Sequence, residues 1–214
     1  MAGFALINLD KREVVVASET GFGYKMVECI GAMPLAPLRF FTIPVDGQPA
    51  PPPPPFRPSS PLPHRSVKTT RVPVGHWAND RILIVNEYSG SAEDVFPVDV
   101  LSAFPDGDSS TDALYYAFDN LKHVNLPGYE HQGDQDALFP VDKVWVVHNL
   151  TKKWYARSDK VVAPEDSRGL DLTDDAESLG LGDLIWAGDR FDVQTLQSVQ
   201  NSDEEWKDWS KQAK

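Results

Sequence analysis

The chain has one cysteine, Cys29. A single thiol closes no internal disulfide and builds no cysteine-rich zinc site. No apolar run approaches the roughly 18–20 residues that a membrane-spanning helix needs. The start has no basic segment followed by an apolar one, the mark of a secretory leader. These absences suit a soluble protein of a reducing compartment, and the expected location is cytoplasmic. Basic charge is scarce as well: 20 Lys and Arg stand against 32 Asp and Glu, a net charge of −12. An acidic surface repels phosphate backbones and anionic headgroups, so neither nucleic acid nor membrane is expected as a partner.

Chemical signatures are missing too. No two of His64, His76, His123, His131 and His148 have the i, i+4 spacing of a helical metal site. The acidic stretches lack the order of a calcium loop. No phosphate loop, dinucleotide fingerprint, nucleophile elbow or kinase signature occurs. No cofactor and no metal is therefore expected.

What the chain does have is a core-forming composition and a repetition. Apolar residues make up 41% of the 214 positions, enough for one large domain or two small ones. The opening Ile7-Asn8-Leu9-Asp10-Lys11-Arg12 returns as His148-Asn149-Leu150-Thr151-Lys152-Lys153. Trp77-Ala78-Asn79-Asp80-Arg81-Ile82 returns as Trp186-Ala187-Gly188-Asp189-Arg190-Phe191. Two motifs recurring in the same order point to a duplicated structural unit.

Each unit opens on a pair of short apolar runs around a charged tip. Residues 4–9 and 13–17 flank Asp10-Lys11-Arg12, and the segment 143–157 is built the same way. Val14, Val15 and Val16 favour extended backbone, so both read as β-hairpins with basic tips. Met26, Val27 and Ile30 are spaced for a short helix within Tyr24–Met33, and Leu38–Ile43 reads as a strand. Residues 44–66 form a Pro-rich loop holding more than half of the 18 prolines, including the run Pro51–Pro55. Such a stretch neither pairs in a sheet nor continues a helix, and is expected to be extended. Arg81–Val85 and Phe191–Leu196 read as matching strands. Ser109 or Ser110 caps an expected helix from Asp112 to about His123. Ser202-Asp-Glu-Glu205 has the form of a capping box, predicting a short C-terminal helix with Trp206 and Trp209 on one face.

The expected fold is thus α+β and β-rich, with two related hairpin-plus-strand units, a Pro-rich insertion and that terminal helix. Residues 1–108 form the first unit, 109–142 a connecting helix and loop, and 143–214 the second unit.

The Trp-Ala-x-Asp-Arg motifs carry two readings. Trp77, Asp80 and Arg81, with Trp186, Asp189 and Arg190, could serve as paired sugar subsites: the ring stacks on a sugar face and the charges take hydroxyls. Alternatively Trp anchors the core, Asn79 or Gly188 supplies a left-handed turn position, Asp braces the turn and Arg opens the strand. The second reading explains why the motif occurs twice. His76 has no counterpart before Trp186, where Ile185 stands. Cys29 follows a glycine-rich turn, where thiolates can be activated. His76 and Cys29 are thus the candidate catalytic residues. His148, at the position matching Ile7, reads as a half-buried sheet residue.

On these motifs the chain resembles a family of hypothetical proteins common in mushroom-forming fungi and scattered in bacteria. That family pairs I-N-x-D-K-[KR], W-A-G-D-R-[IF] and N-L-T-K-[KR]-E-Y. The chain departs at Asn79, where the pattern has Gly, and at Trp154, where it has Glu. The resemblance implies a common fold and transfers no catalytic residue.

Three functions follow as expectations. The first is a soluble intracellular binding or interaction module, with Pro51–Pro55 as a ligand for an SH3- or WW-type partner. The second is a lectin-like carbohydrate-binding protein using both Trp motifs. The third is an enzyme with a small-molecule pocket between the units.

Overall fold

The computed structural model describes residues 4–16, 70–86, 89–125, 143–160 and 188–210. Cys29, Trp186, the Pro-rich loop and the elements expected over 24–43 lie outside these residues.

Both expected hairpins form. β1 (Phe4–Asn8) pairs antiparallel with β2 (Glu13–Val16), and β6 (Trp145–Asn149) with β7 (Trp154–Arg157). Each turns through four residues that end in a left-handed position, Arg12 at φ 54° and Lys153 at φ 57°. The expected motif strands also form, as β4 (Ile82–Asn86) and β8 (Phe191–Thr195). Each lies antiparallel to the opening strand of its hairpin: Asn8 faces Ile82, and Asn149 faces Phe191.

Shorter strands complete the sheets. β5 (Lys122–Asn125) runs parallel to β2, and β9 (Lys207–Asp208) runs parallel to β7. β3 (Thr70–Arg71) adds to β5. One sheet has the order β3-β5-β2-β1-β4, the other β8-β6-β7-β9. With few and short helices among the described residues, the fold is α+β and β-rich.

Three helices between β4 and β5 cover one face of the first sheet: α1 (Ala92–Val95), α2 (Val98–Leu101) and α3 (Ala113–Asn120). Ala5, Ile7, Val14, Leu83 and Val85 point to that face and pack against Phe96, Val100, Leu114 and Leu121. Each such buried aliphatic side chain contributes about 1.5–3 kcal/mol. The second sheet has between β8 and β9 only one described helix, α4 (Leu196–Gln200).

Two helices differ from expectation. Asp112, not Ser109 or Ser110, caps α3, its carboxylate accepting from the Leu114 amide at 2.8 Å. The helix stops at Asn120 because Lys122 turns extended and donates its backbone N–H to Arg12 O at 3.0 Å. At the C-terminal end, the expected helix over Trp206 and Trp209 does not form. The open edge of β7 captures this segment: Lys207 donates to Lys153 O at 3.0 Å and Trp209 to Tyr155 O at 2.9 Å. Strand periodicity sends Trp206 and Trp209 to opposite faces. Trp206 stacks on His148, and Trp209 on Trp154.

Candidate functional site

The two sheets meet where β4 and β8 begin. Arg81 and Arg190 form an antiparallel bridge. Around it, the backbone hydrogen bonds between the sheets come in pairs with the sheets exchanged. Ile82 donates to Asp189 O at 2.9 Å, and Phe191 to Asp80 O at 3.2 Å. Gly188 donates to Ile82 O at 2.8 Å, and Asn79 to Phe191 O at 2.7 Å. Asn79 and Gly188 hold the left-handed positions that this crossing requires, at φ 69° and 74°.

The charges of both motifs are spent at this junction. Asn8 Nδ2 donates to Asp80 Oδ2 at 2.7 Å, and Asn8 Oδ1 accepts from the Lys11 amide at 2.8 Å. The Lys11 ammonium pairs with the same Asp80 carboxylate. The second sheet repeats the contact set: Asn149 Nδ2 to Asp189 Oδ2 at 2.7 Å, the Lys152 amide to Asn149 Oδ1 at 2.9 Å, and Lys152 Nζ to Asp189 at 2.6 Å. Arg81 donates through Nε to Asp10 and through Nη2 to Asp99, each at 2.7 Å. Arg190 Nη1 donates to Asp10 Oδ2 at 2.7 Å and to Asn79 O at 2.8 Å. Burial pushes the Asp10 carboxyl up, but the Arg81 amide and guanidinium and the charge of Arg190 outweigh it and hold Asp10 below its ordinary range. The hydrogen bonds from Arg81 to Asp99 and Asp10 raise the guanidinium further.

Trp77 and His76 converge elsewhere, on Glu13. Trp77 is 0% exposed, and its Nε1 donates to Glu13 Oε2 at 2.8 Å. His76 Nε2 lies 2.9 Å from the same oxygen, and Lys122 Nζ donates to Oε1 at 3.0 Å. Glu13 is buried, which raises its carboxyl. The hydrogen bonds from Trp77 and Lys122 and the charges of His76 and Lys122 reverse that, and Glu13 ends below its ordinary value. Trp154 occupies the matching place in the second sheet, stacked on Trp209 with Lys207 Nζ 5.4 Å from its ring.

A third cluster lies in the second sheet alone. His148 and Asp192 face each other across β6 and β8, and each is 2% exposed. His148 Nδ1 lies 2.7 Å from Asp192 Oδ1, and Gln194 Nε2 donates to Asp192 Oδ2 at 2.9 Å. A carboxylate only accepts, so Nδ1 is the donor in this contact. His148 Nε2 is buried and, among the described residues, has no hydrogen-bond partner. A carboxylate behind an imidazole fixes its tautomer and orients its other nitrogen, the setting of a base or a ligand atom.

The structure therefore brings Asp80, Arg81, Asp189 and Arg190 together, separates Trp77 from them, and places His76 on Glu13. Sequence reasoning passed over Asp10, Glu13 and Asp192. The one available signal for Asp192 was a double mismatch between the matched strands: Ile7 and Leu83 in one sheet, His148 and Asp192 in the other. Among the described residues, no group of three His, Cys, Asp or Glu is placed to hold a metal ion, and no helix is long and apolar enough to cross a membrane. Compared with family models, with curated proteins and with solved structures, the chain matches none.

Proposed function

We propose that this chain is a binding or interaction module built on a duplicated hairpin-plus-strand unit, into whose first copy the Pro-rich segment was inserted. The duplication is supported by the common pairing register and by the paired Asn–Asp–Lys contacts. The observation that carries the functional reading is that the charges of both Trp-Ala-x-Asp-Arg motifs are paired within the fold, Asp80 by Lys11, Asp189 by Lys152, and the two arginines by Asp10, with Asp99 on Arg81. Residues so engaged are scaffold, and recognition falls to other parts of the surface. Trp77 is sealed from solvent and offers no ring face to a sugar, which weighs against the lectin-like alternative. His76 Nε2 is held by Glu13, which weighs against an enzyme built on His76.

The segment suited to recognition is Pro51–Pro55, whose composition favours the extended polyproline form that SH3 and WW domains bind. A panel of purified SH3 and WW domains tests the reading. At least one is expected to bind the intact chain and not a variant lacking residues 47–66, with both melting at nearly the same temperature. Failure of every domain to bind, or loss of folding on deletion, would count against it. A glycan array separates the lectin-like alternative.

A further inference from the structure

The pairing register lays four side chains in a row across one face of the second sheet: Asp192, His148, Tyr155 and Asp208. The same row in the first sheet is Leu83, Ile7, Val14 and His123, and its first three members are core beneath the helices. One lattice of strands thus carries an apolar row in one sheet and an ionisable row in the other. Burying a hydrogen-bonded polar pair stabilises a fold no better than well-packed apolar residues of similar size. The first sheet demonstrates that apolar residues fill these positions. Folding alone gives no reason for His148 and Asp192.

The geometry around the pair is that of a covered site. Both Asp192 oxygens accept hydrogen bonds, and among the described residues none meets the buried Nε2 of His148. The Trp206 ring lies over His148, with centroids 4.5 Å apart and planes 15° apart. Trp206 follows a turn, residues 201–205, that is exposed throughout. Its indole is held by that stack and by Lys153 Nζ, 4.8 Å from the ring, and Lys153 in turn pairs with Glu204 of the same turn. Trp206 precedes the β7–β9 pairs at Lys207 and Asp208 and is not itself part of a strand pair. Tyr155 borders the imidazole on its other side, ring centroids 6.4 Å apart.

We propose that His148 and Asp192 form a ligand site covered by Trp206, taking a small neutral molecule with an O–H donor on an aromatic body. With the imidazole neutral, the O–H donates to Nε2, which no described group meets, and the aromatic body meets the indole and phenol rings beside it. The Asp192 carboxylate beside His148 disfavours an anionic ligand, Asp208 being paired with Lys160. This site is independent of the proline-segment reading.

Phenol serves as the binding probe and diethyl pyrocarbonate as a probe of the Nε2 lone pair, with His148 followed by peptide mass spectrometry. In the wild-type protein, carbethoxylation of His148 is expected to be slow and to be slowed further by phenol. Trp206→Ala is expected to speed it about tenfold or more, an amount matching a cover worth at least 1.4 kcal/mol, the free energy of a factor of ten. The double variant His148→Ile with Asp192→Leu, which copies the first sheet, is expected to melt no lower than wild type and to lose phenol-induced shifts in the Trp206 resonance. Absence of phenol protection in the wild-type protein overturns the proposal, as does a His148 rate that Trp206→Ala leaves unchanged. Unfolding of the double variant overturns it too, by making the pair structural.

Discussion

Arg81 and Arg190 face each other across an antiparallel bridge, and Asp10 accepts a hydrogen bond from each guanidinium at 2.7 Å. Like charges directly opposite in a sheet repel. Here one carboxylate from the first hairpin tip lies between them and joins the hairpin, β4 and β8 in a single contact. Asp99 takes the remaining reach of Arg81 from the solvent side, its side chain 59% exposed.

Asp10→Asn is therefore expected to destabilise by about 1 kcal/mol, because half-buried Arg81 and exposed Arg190 lose a shared counter-charge that solvent only partly screens. Asp99→Asn should cost nothing measurable, since an exposed partner is screened by solvent. Urea unfolding of the two variants checks the contrast. Equal effects would remove Asp10 from its central role.

Glu13→Gln is expected to cost about 2–4 kcal/mol, because a buried carboxylate with three donors is replaced by a group that cannot satisfy them all. A pH effect accompanies it. Glu13 in the folded protein lies below its ordinary 4.5. Its contribution is fully present above that value and is lost as the pH falls through the lower, folded value. Acid unfolding of wild type should thus steepen below about pH 4.5, and Glu13→Gln should flatten that limb. Parallel acid limbs in the two proteins would refute the assignment.

Asn8→Ala and Asn149→Ala are expected to cost similar amounts, about 1–3 kcal/mol each, since each strips a buried Asp bond and a turn amide acceptor. The two asparagines are both 0% exposed. Thermal denaturation of both variants tests whether the two sheets depend on the contact alike.

Asn79→Gly and Gly188→Ala are expected to act in opposite directions. Both positions have left-handed backbone, at φ 69° and 74°. A Cβ on Gly188 would meet only Leu9 Cδ1, at 4.0 Å, so its cost is backbone strain of about 1–2 kcal/mol and not a clash. Asn79→Gly should be neutral or stabilising by a few tenths of a kcal/mol, as Asn tolerates this region but Gly does so at no steric cost. Calorimetry of the pair decides the sign.

The strands around Asn8, Ile82, Asn149 and Phe191 were legible because their apolar β-branched runs are local. Lys122–Asn125 and Lys207–Asp208 were not. Lys122 and His123 read as the end of a helix, since Leu114, Ala117, Phe118 and Leu121 have helical spacing, and Lys207–Asp208 as part of another, since Ser202–Glu205 resembles a cap. Both became strands because β2 and β7 had open edges to offer them. The motif residues stood out by their repetition, yet their partner Asp10 did not, because nothing local marks one carboxylate among 32 acids.

Composition and periodicity alone determined that this chain has a β-rich core, two basic-tipped hairpins and matching strands, since those properties depend on neighbours within a few residues. Only the tertiary structure decided that Asp10 bridges two arginines, that Glu13 collects Trp77, His76 and Lys122, and that His148 meets Asp192. Those contacts join residues up to 180 positions apart. They exist because strand register, and not sequence distance, sets which side chains share a face.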